Sequence, residues 1–231
     1  MPSVLVTGAN SGIGHAFAKL LINEGYQVYA ADLTEGENLK SLSSKARTVT
    51  LDVTSPESIK KFKDSLGDEP LDFLLNIAGI ASQKDDDSLE TTNLSVLQKT
   101  FAVNTFAPLL LIQALLPNVL KSNTKKIGIV SSRVGSIGDN SSGGHYAYRS
   151  SKAAVNSIGK SLAMDLKDQG VTVMLLHPGY VRTNLLPGAN LPPETVEPEE
   201  AAKKLWENIV SKKQIEETGK FWHREGFELP W

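Results

Sequence analysis

The chain has no cysteine among its 231 residues. That excludes structural disulfides, a thiolate nucleophile and a cysteine-ligated metal. Histidine is scarce as well. His15, His145, His177 and His223 show no metal-site spacing, and no metal is expected. An excess of either charge is also lacking: 24 Lys and Arg face 26 Asp and Glu, so neither nucleic acid nor an anionic membrane surface is an expected partner. No apolar run is a good membrane span. The most apolar stretch, 101–120, is interrupted by Asn104, Pro108, Gln113 and Pro117, whereas a span needs ~20 predominantly apolar residues; it reads as a core or interface helix. Internal repeats and low-complexity tracts are missing too. The length suits a single α/β domain, residues 1–231. A cleavable leader would have to remove the first strand, so cytoplasmic residence is expected.

Short Val/Leu/Ile runs alternate with longer helical segments, the pattern of parallel strands joined by crossover helices. Strands are predicted near 3–6, 27–31, 47–51, 71–76, 126–130, 172–176 and 220–222. Helices are predicted near 12–24, 56–66, 94–121 with a break, 146–166 and 198–210, with a weak turn at 37–43. Pro56 and Pro198 each suit a helix's first turn, where a missing N–H costs nothing. The run Lys84-Asp85-Asp86-Asp87 reads as a solvated loop, and the prolines from Pro187 to Pro198 mark an irregular connection. The segment 227–231 alternates apolar and polar residues and is expected to pack one edge against the body.

Chemistry concentrates in a few places. Thr7-Gly8-Ala9-Asn10-Ser11-Gly12-Ile13-Gly14 directly follows the apolar run Val4-Leu5-Val6. A buried strand, a glycine turn and a helix N-terminus together suit a dinucleotide pyrophosphate, since the backbone can approach closely and the helix offers free N–H groups. Asp32 ends the second strand 18 residues after Gly14. Its carboxylate can accept from both adenosine ribose hydroxyls and repels a 2′-phosphate, and Ala31 and Leu33 offer no cation; NAD(H) is therefore expected over NADP(H). Tyr148 and Lys152 lie four apart on one helix face. An ammonium one turn away and a nearby helix N-terminus are expected to lower the phenol pKa. Ser131-Ser132 closes a strand at the carboxyl edge, where parallel sheets place ligands. Asn104 interrupts an apolar helix, where a buried amide must find partners. Pro108 denies the Asn104 carbonyl its usual helical donor, and this is the expected break.

Thr-Gly-x-x-x-Gly-Ile-Gly, Asn76-Ile77-Ala78-Gly79, Asn104, Ser132, Tyr148, Lys152 and Pro178-Gly179-Tyr180-Val181-Arg182-Thr183 occur in an order that resembles the short-chain dehydrogenases/reductases. Segments 143–152 and 219–231 look most like the C-factor and sniffer-type carbonyl reductases. The resemblance implies a single-domain Rossmann fold, a doubly wound seven-stranded parallel sheet flanked by helices. It also implies a tetrad acting on a small carbonyl or alcohol substrate: Tyr148 as proton donor and acceptor, Lys152 lowering its pKa and holding the nicotinamide ribose, Ser132 orienting the substrate oxygen, and Asn104 anchoring a water. Cofactor contacts are implied at Gly8, Asn10, Ser11, Gly12, Ile13, Gly14, Asp32, Leu33, Asp52, Val53, Asn76, Ala78, Gly79, Tyr148, Lys152, Pro178, Gly179, Val181 and Thr183. Two departures stand out. Ile77 replaces the family's second asparagine, and Ser132 lies 16 residues before Tyr148, implying a longer loop in which Ser136 rivals Ser132. The pocket is expected between segments 79–93, 133–146 and 184–197. A homodimer or homotetramer pairing through the helices that begin near Leu94 and Tyr146 is also implied. Two other readings compete: a nucleotide-binding signalling scaffold of the C-factor type, and a serine hydrolase using Ser132 with His145, for which no Gly-x-Ser-x-Gly elbow exists.

Overall fold

Alternate residues of each buried strand feed opposite layers, which is why the strand sequences are apolar throughout. In β1 (Ser3–Thr7), Val4 and Val6 enter one core while Leu5 enters the other; in β4 (Phe73–Asn76), Phe73 and Leu75 part from Leu74 in the same way. The computed structural model describes residues 1–185 and 191–231; residues 186–190, which include Pro187 of the predicted irregular connection, lie outside the described residues. Seven parallel strands form one sheet in the order β3-β2-β1-β4-β5-β6-β7, completed by β2 (Gln27–Asp32), β3 (Arg47–Thr50), β5 (Lys126–Val130), β6 (Thr172–His177) and β7 (Lys220–His223). The order reverses direction beside β1, so this is the doubly wound Rossmann arrangement, with its crevice at the carboxyl ends of β1 and β4.

Helices α1 (Gly12–Asn23), α2 (Glu37–Leu42) and α7 (Pro198–Leu205) cover one face through Phe17, Leu21, Leu39 and Leu205. On the other face, α3 (Pro56–Leu66), α5 (Ala107–Lys121) and α6 (Tyr146–Leu166) contribute Phe62, Leu115 and Val155. Helix α4 (Leu94–Phe101) leads into α5 through a π-helical turn, Ala102–Phe106, and a second π turn, Trp206–Val210, ends α7. The first is the break expected from Pro108. A widened turn is the usual response when an i→i−4 donor is missing. By length and hydropathy, Leu94–Lys121 could cross a membrane, but half of its apolar window is buried, where α5 packs on α3 and β4.

Boundaries differ from expectation where side chains capture the backbone. β4 starts at Phe73 rather than Leu71, because the Leu71 N–H donates to the Asn118 carbonyl (3.0 Å) and Asp72 turns its carboxylate to the Ser3 N–H (2.7 Å). Both residues serve the turn that enters the strand. The expected solvated loop at 84–87 is corrected at its last residue: Asp87 is fully buried.

Candidate active site

The turn after β1 is shaped by what a methyl group would strike. A Cβ on Gly14 would lie 2.2 Å from the Gly8 carbonyl oxygen, and one on Gly8, whose φ is +72°, would lie 3.1 Å from the Ala78 backbone. Thr7 locks that approach: its Oγ1 accepts from the N–H groups of Ile77 (2.9 Å) and Ala78 (3.1 Å), joining the ends of β1 and β4. Helix α1 then begins with no side-chain cap from Ser11 and no acidic residue in its first turn. Its leading N–H groups therefore face the crevice without a protein acceptor, the arrangement that attracts phosphate. Ile13 sends its side chain into the core, leaving its backbone as what it offers a ligand. Thr183 reaches the same turn from the other side; a Cβ on Gly12 would lie 3.1 Å from its Cγ2.

The far end of the crevice is built by Asp32 and Asn10. Asp32 Oδ2 accepts from the Asn10 N–H at 2.9 Å, which orients the carboxylate beside exposed Leu33. The Asn10 side chain turns away from the crevice and accepts from the Leu39 N–H (3.0 Å), fastening α2 to the glycine turn. Asp52 Oδ1 accepts from Thr54 N and Oγ1 (2.8 and 2.6 Å), which shapes the turn carrying Val53 into α3. Asn76 is buried with its Nδ2 unpaired. It shares this state with Asn156 Nδ2 and Trp222 Nε1, and it is the one of the three that closes the strand beside the glycine turn. Farther along, Pro178 and Tyr180 both give their carbonyls to the Arg224 guanidinium (2.7 and 3.1 Å), and this fixes the Gly179 turn that leads to Val181.

Tyr148 and Lys152 project from the sheet-facing side of α6. Lys152 Nζ donates to the Val130 carbonyl at 2.9 Å and stands 5.7 Å from the centre of the Tyr148 ring. A Cβ on Gly79 would lie 3.3 Å from Asn104 Oδ1 and 3.7 Å from Lys152 Nζ, so Gly79 is the gap that lets these two groups converge. Asn104 is fully engaged. Its Oδ1 accepts from the Ile80 N–H (2.9 Å), and its Nδ2 donates to the Ile80 carbonyl (2.9 Å) and to Ser151 Oγ (3.1 Å). Burial pushes the Tyr148 phenol up to about 12, opposed by a hydrogen bond with Ser132, and burial pushes Lys152 down to about 8. Desolvation favours the neutral form of both groups.

The serine hydrolase reading is not assembled. Ser132 Oγ accepts from the Val134 N–H, Asp139 pairs with Arg133, and His145 caps nothing at the left-handed start of α6. Ser136 Oγ accepts from the Asp139 N–H (3.2 Å) within its own turn. Several contributors escaped the sequence. Asp87 accepts from the Ala147 and Tyr148 N–H groups; Arg149 donates to the carbonyls of Val134, Gly143 and Gly144; His177, pushed by burial and by His223, Arg133 and Arg224 to about 3, accepts from the Arg133 N–H (3.2 Å). Each connects segments far apart in sequence, and only Arg149, one residue from Tyr148, carried a positional hint.

Known proteins share this arrangement. The family model for short chain dehydrogenases matches residues 2–192. The chain is 39% identical over the whole of both chains to a 1-hydroxy-2-glutathionyl-2-methyl-3-butene dehydrogenase from Rhodococcus sp. (strain AD45). It is 33% identical to the C-signal protein of Myxococcus xanthus, across 75% of this chain and 100% of that one. Among solved structures, an NADPH-bound carbonyl reductase from chicken fatty liver superposes with a TM-score of 0.91 at 32% identity, covering 100% and 99% of the two chains. The carbonyl reductase Sniffer of D. melanogaster superposes at 0.87 with 29% identity over 100% of both. With the family model matching most of its length and a relative 39% identical over the whole of both chains, the chain belongs to the short-chain dehydrogenase/reductase family of oxidoreductases.

Proposed function

We propose that the protein transfers hydride between NAD(H) and a small carbonyl or secondary alcohol, with Asn104, Ser132, Tyr148 and Lys152 as its working residues. The observation that carries this reading is the buried Lys152 amine, held by the Val130 carbonyl 5.7 Å from the centre of the Tyr148 ring. The crevice fits a dinucleotide on its own evidence: an open helix N-terminus, a glycine surface with no room for Cβ atoms, and the unpaired Asn76 amide. Gly8, Ser11, Gly12, Ile13 and Gly14 would hold the pyrophosphate, Asp32 the adenosine ribose, Lys152 the second ribose, and Val181 with Thr183 the carboxamide end. Bound there, the nicotinamide supplies or accepts the hydride.

The chain's own residues manage the proton. The Ser132 hydroxyl donates to the substrate oxygen and holds it against the phenol. Tyr148, kept protonated by burial, gives its proton to that oxygen as negative charge develops there. Lys152, pushed down toward neutrality, stands where it can hold or release a proton beside the phenol. Asn104 fixes the Ile80 backbone against the π turn and so steadies the floor beneath both.

Asp32 supports NAD(H): a carboxylate presented beside an apolar Leu33 accepts from ribose hydroxyls and repels a 2′-phosphate. Exposed Leu94, Phe106, Leu110 and Met164 support an even oligomer built on the α4–α5 and α6 surfaces. The central test is Tyr148→Phe, assayed with both cofactors against a panel of aldehydes, ketones and alcohols. Turnover should fall by about 10² to 10⁴, with NADH binding by fluorescence retained. A fully active variant overturns the assignment.

A further inference from the structure

We propose that Asp87 is the positioning residue for the Tyr148 phenol, an inference that rests on the oxidoreductase reading above. Helix α6 starts from His145, whose φ of 52° is left-handed and whose side chain caps nothing, so the first amides need an acceptor from elsewhere. Asp87 supplies it across 60 residues of sequence. Its Oδ1 accepts from the Ala147 N–H at 2.8 Å, and its Oδ2 accepts from the N–H of Tyr148 itself at 3.1 Å. Thr92 Oγ1 lies 3.0 Å from the same Oδ1 and 2.7 Å from the Ser88 carbonyl, so its one proton is shared between the carboxylate and its own turn. The residue is fully buried, and a buried carboxylate is stabilised by the positive end of a helix.

Two oxygens on two successive amides fix the first turn about the helix axis. That rotation decides where the Cα–Cβ bond of Tyr148 points. From the opposite side, Arg149 donates to the carbonyls of Val134 (3.0 Å) and Gly144 (3.1 Å), so the turn carrying the phenol is held between two clamps. Asp87 also belongs to the 80–93 segment, whose near end is fastened by the paired Ile80–Asn104 bonds. The cleft wall and the phenol are thereby one mechanical unit. A substrate that shifts the wall shifts the proton donor with it.

The test compares Asp87→Ala, Asp87→Asn and Thr92→Val with the unaltered protein, counting competent sites by NADH fluorescence and expressing turnover per site. Asp87→Ala should lose about 100-fold in kcat per site, the scale of an ångström's misplacement, with NADH affinity unchanged and a larger deuterium isotope effect from 4-deuterated NADH. Asp87→Asn, which keeps one acceptor oxygen, should recover most of the loss, and Thr92→Val should show a loss of a few-fold. Should Asp87→Ala not fold, the Asn and Val variants decide the question by the same readouts. A capping role confined to stability would reduce the number of sites while leaving turnover per site and the isotope effect untouched, and that result overturns the proposal. Tyr148→Phe runs alongside: activity surviving there would defeat the proton-transfer reading itself, whereas an inactive Tyr148→Phe with an unaltered Asp87→Asn and Asp87→Ala would defeat only the role of Asp87.

Discussion

The two helix N-termini that flank the crevice are built alike and finished differently. Neither Ser11 before α1 nor His145 before α6 places a side-chain cap on its helix. At α6 the vacancy is filled by Asp87, a carboxylate from a distant segment; at α1 no acidic residue stands in the first turn. Both ends attract negative charge, so the difference assigns their roles. The closed end holds a side chain in place, and the open end is free to hold a ligand's phosphates.

The sharpest way to break that contrast is to crowd the open end. Gly14→Ala would set a Cβ 2.2 Å from the Gly8 carbonyl oxygen, and neither backbone can yield without moving β1 or α1. NADH affinity measured by fluorescence titration should drop by more than about 100-fold, equivalent to roughly 3 kcal/mol, or the chain should fail to accumulate as folded protein.

Asp32→Ala tests the far end of the same crevice. Loss of charge-assisted bonds to the ribose should lower kcat/KM for NADH by about tenfold or more, while NADPH, relieved of repulsion, gains. An unchanged NADH to NADPH ratio would remove Asp32 from cofactor choice. Thr7→Val, nearly isosteric, leaves the Ile77 and Ala78 N–H groups without their acceptor. Urea unfolding should show a loss of about 2 kcal/mol, with a lower affinity for NADH because the glycine turn is no longer tied to β4.

Lys152 is read through the pH dependence of stability and tests its burial. Burial pushes its amine down to about 8 from the ordinary lysine value of 10.5, so between those limits the unfolded chain binds more protons and stability rises with pH. Each unit of that gap corresponds to about 1.4 kcal/mol. Lys152→Met should flatten this rise across pH 8 to 10.5 in denaturation curves. An identical slope in both proteins would mean that the amine is better solvated than its surroundings indicate.

Much of this was legible before any coordinates. Strand positions followed from apolar runs, and the break in the long helix followed from Pro108, because both depend on residues adjacent in sequence. The tight glycine turn and the nearness of Tyr148 to Lys152 were legible for the same reason: a loop and a single helical turn carry their geometry locally. One reading went astray, and it did so through burial. Asp87 looked like one more solvated acid beside Asp85 and Asp86.

By itself, then, the sequence determined the parallel sheet, the glycine turn after β1 and the residue types of the Ser-Tyr-Lys group, since periodicity, backbone sterics and i,i+4 spacing are written in consecutive positions. Tertiary structure alone decided which helix end is sealed by Asp87, which turn Arg224 stiffens and that Tyr148 and Lys152 are both driven toward neutrality. Those outcomes depend on the dielectric surroundings and on partners tens of residues away, and both exist only once the two layers have closed on the sheet.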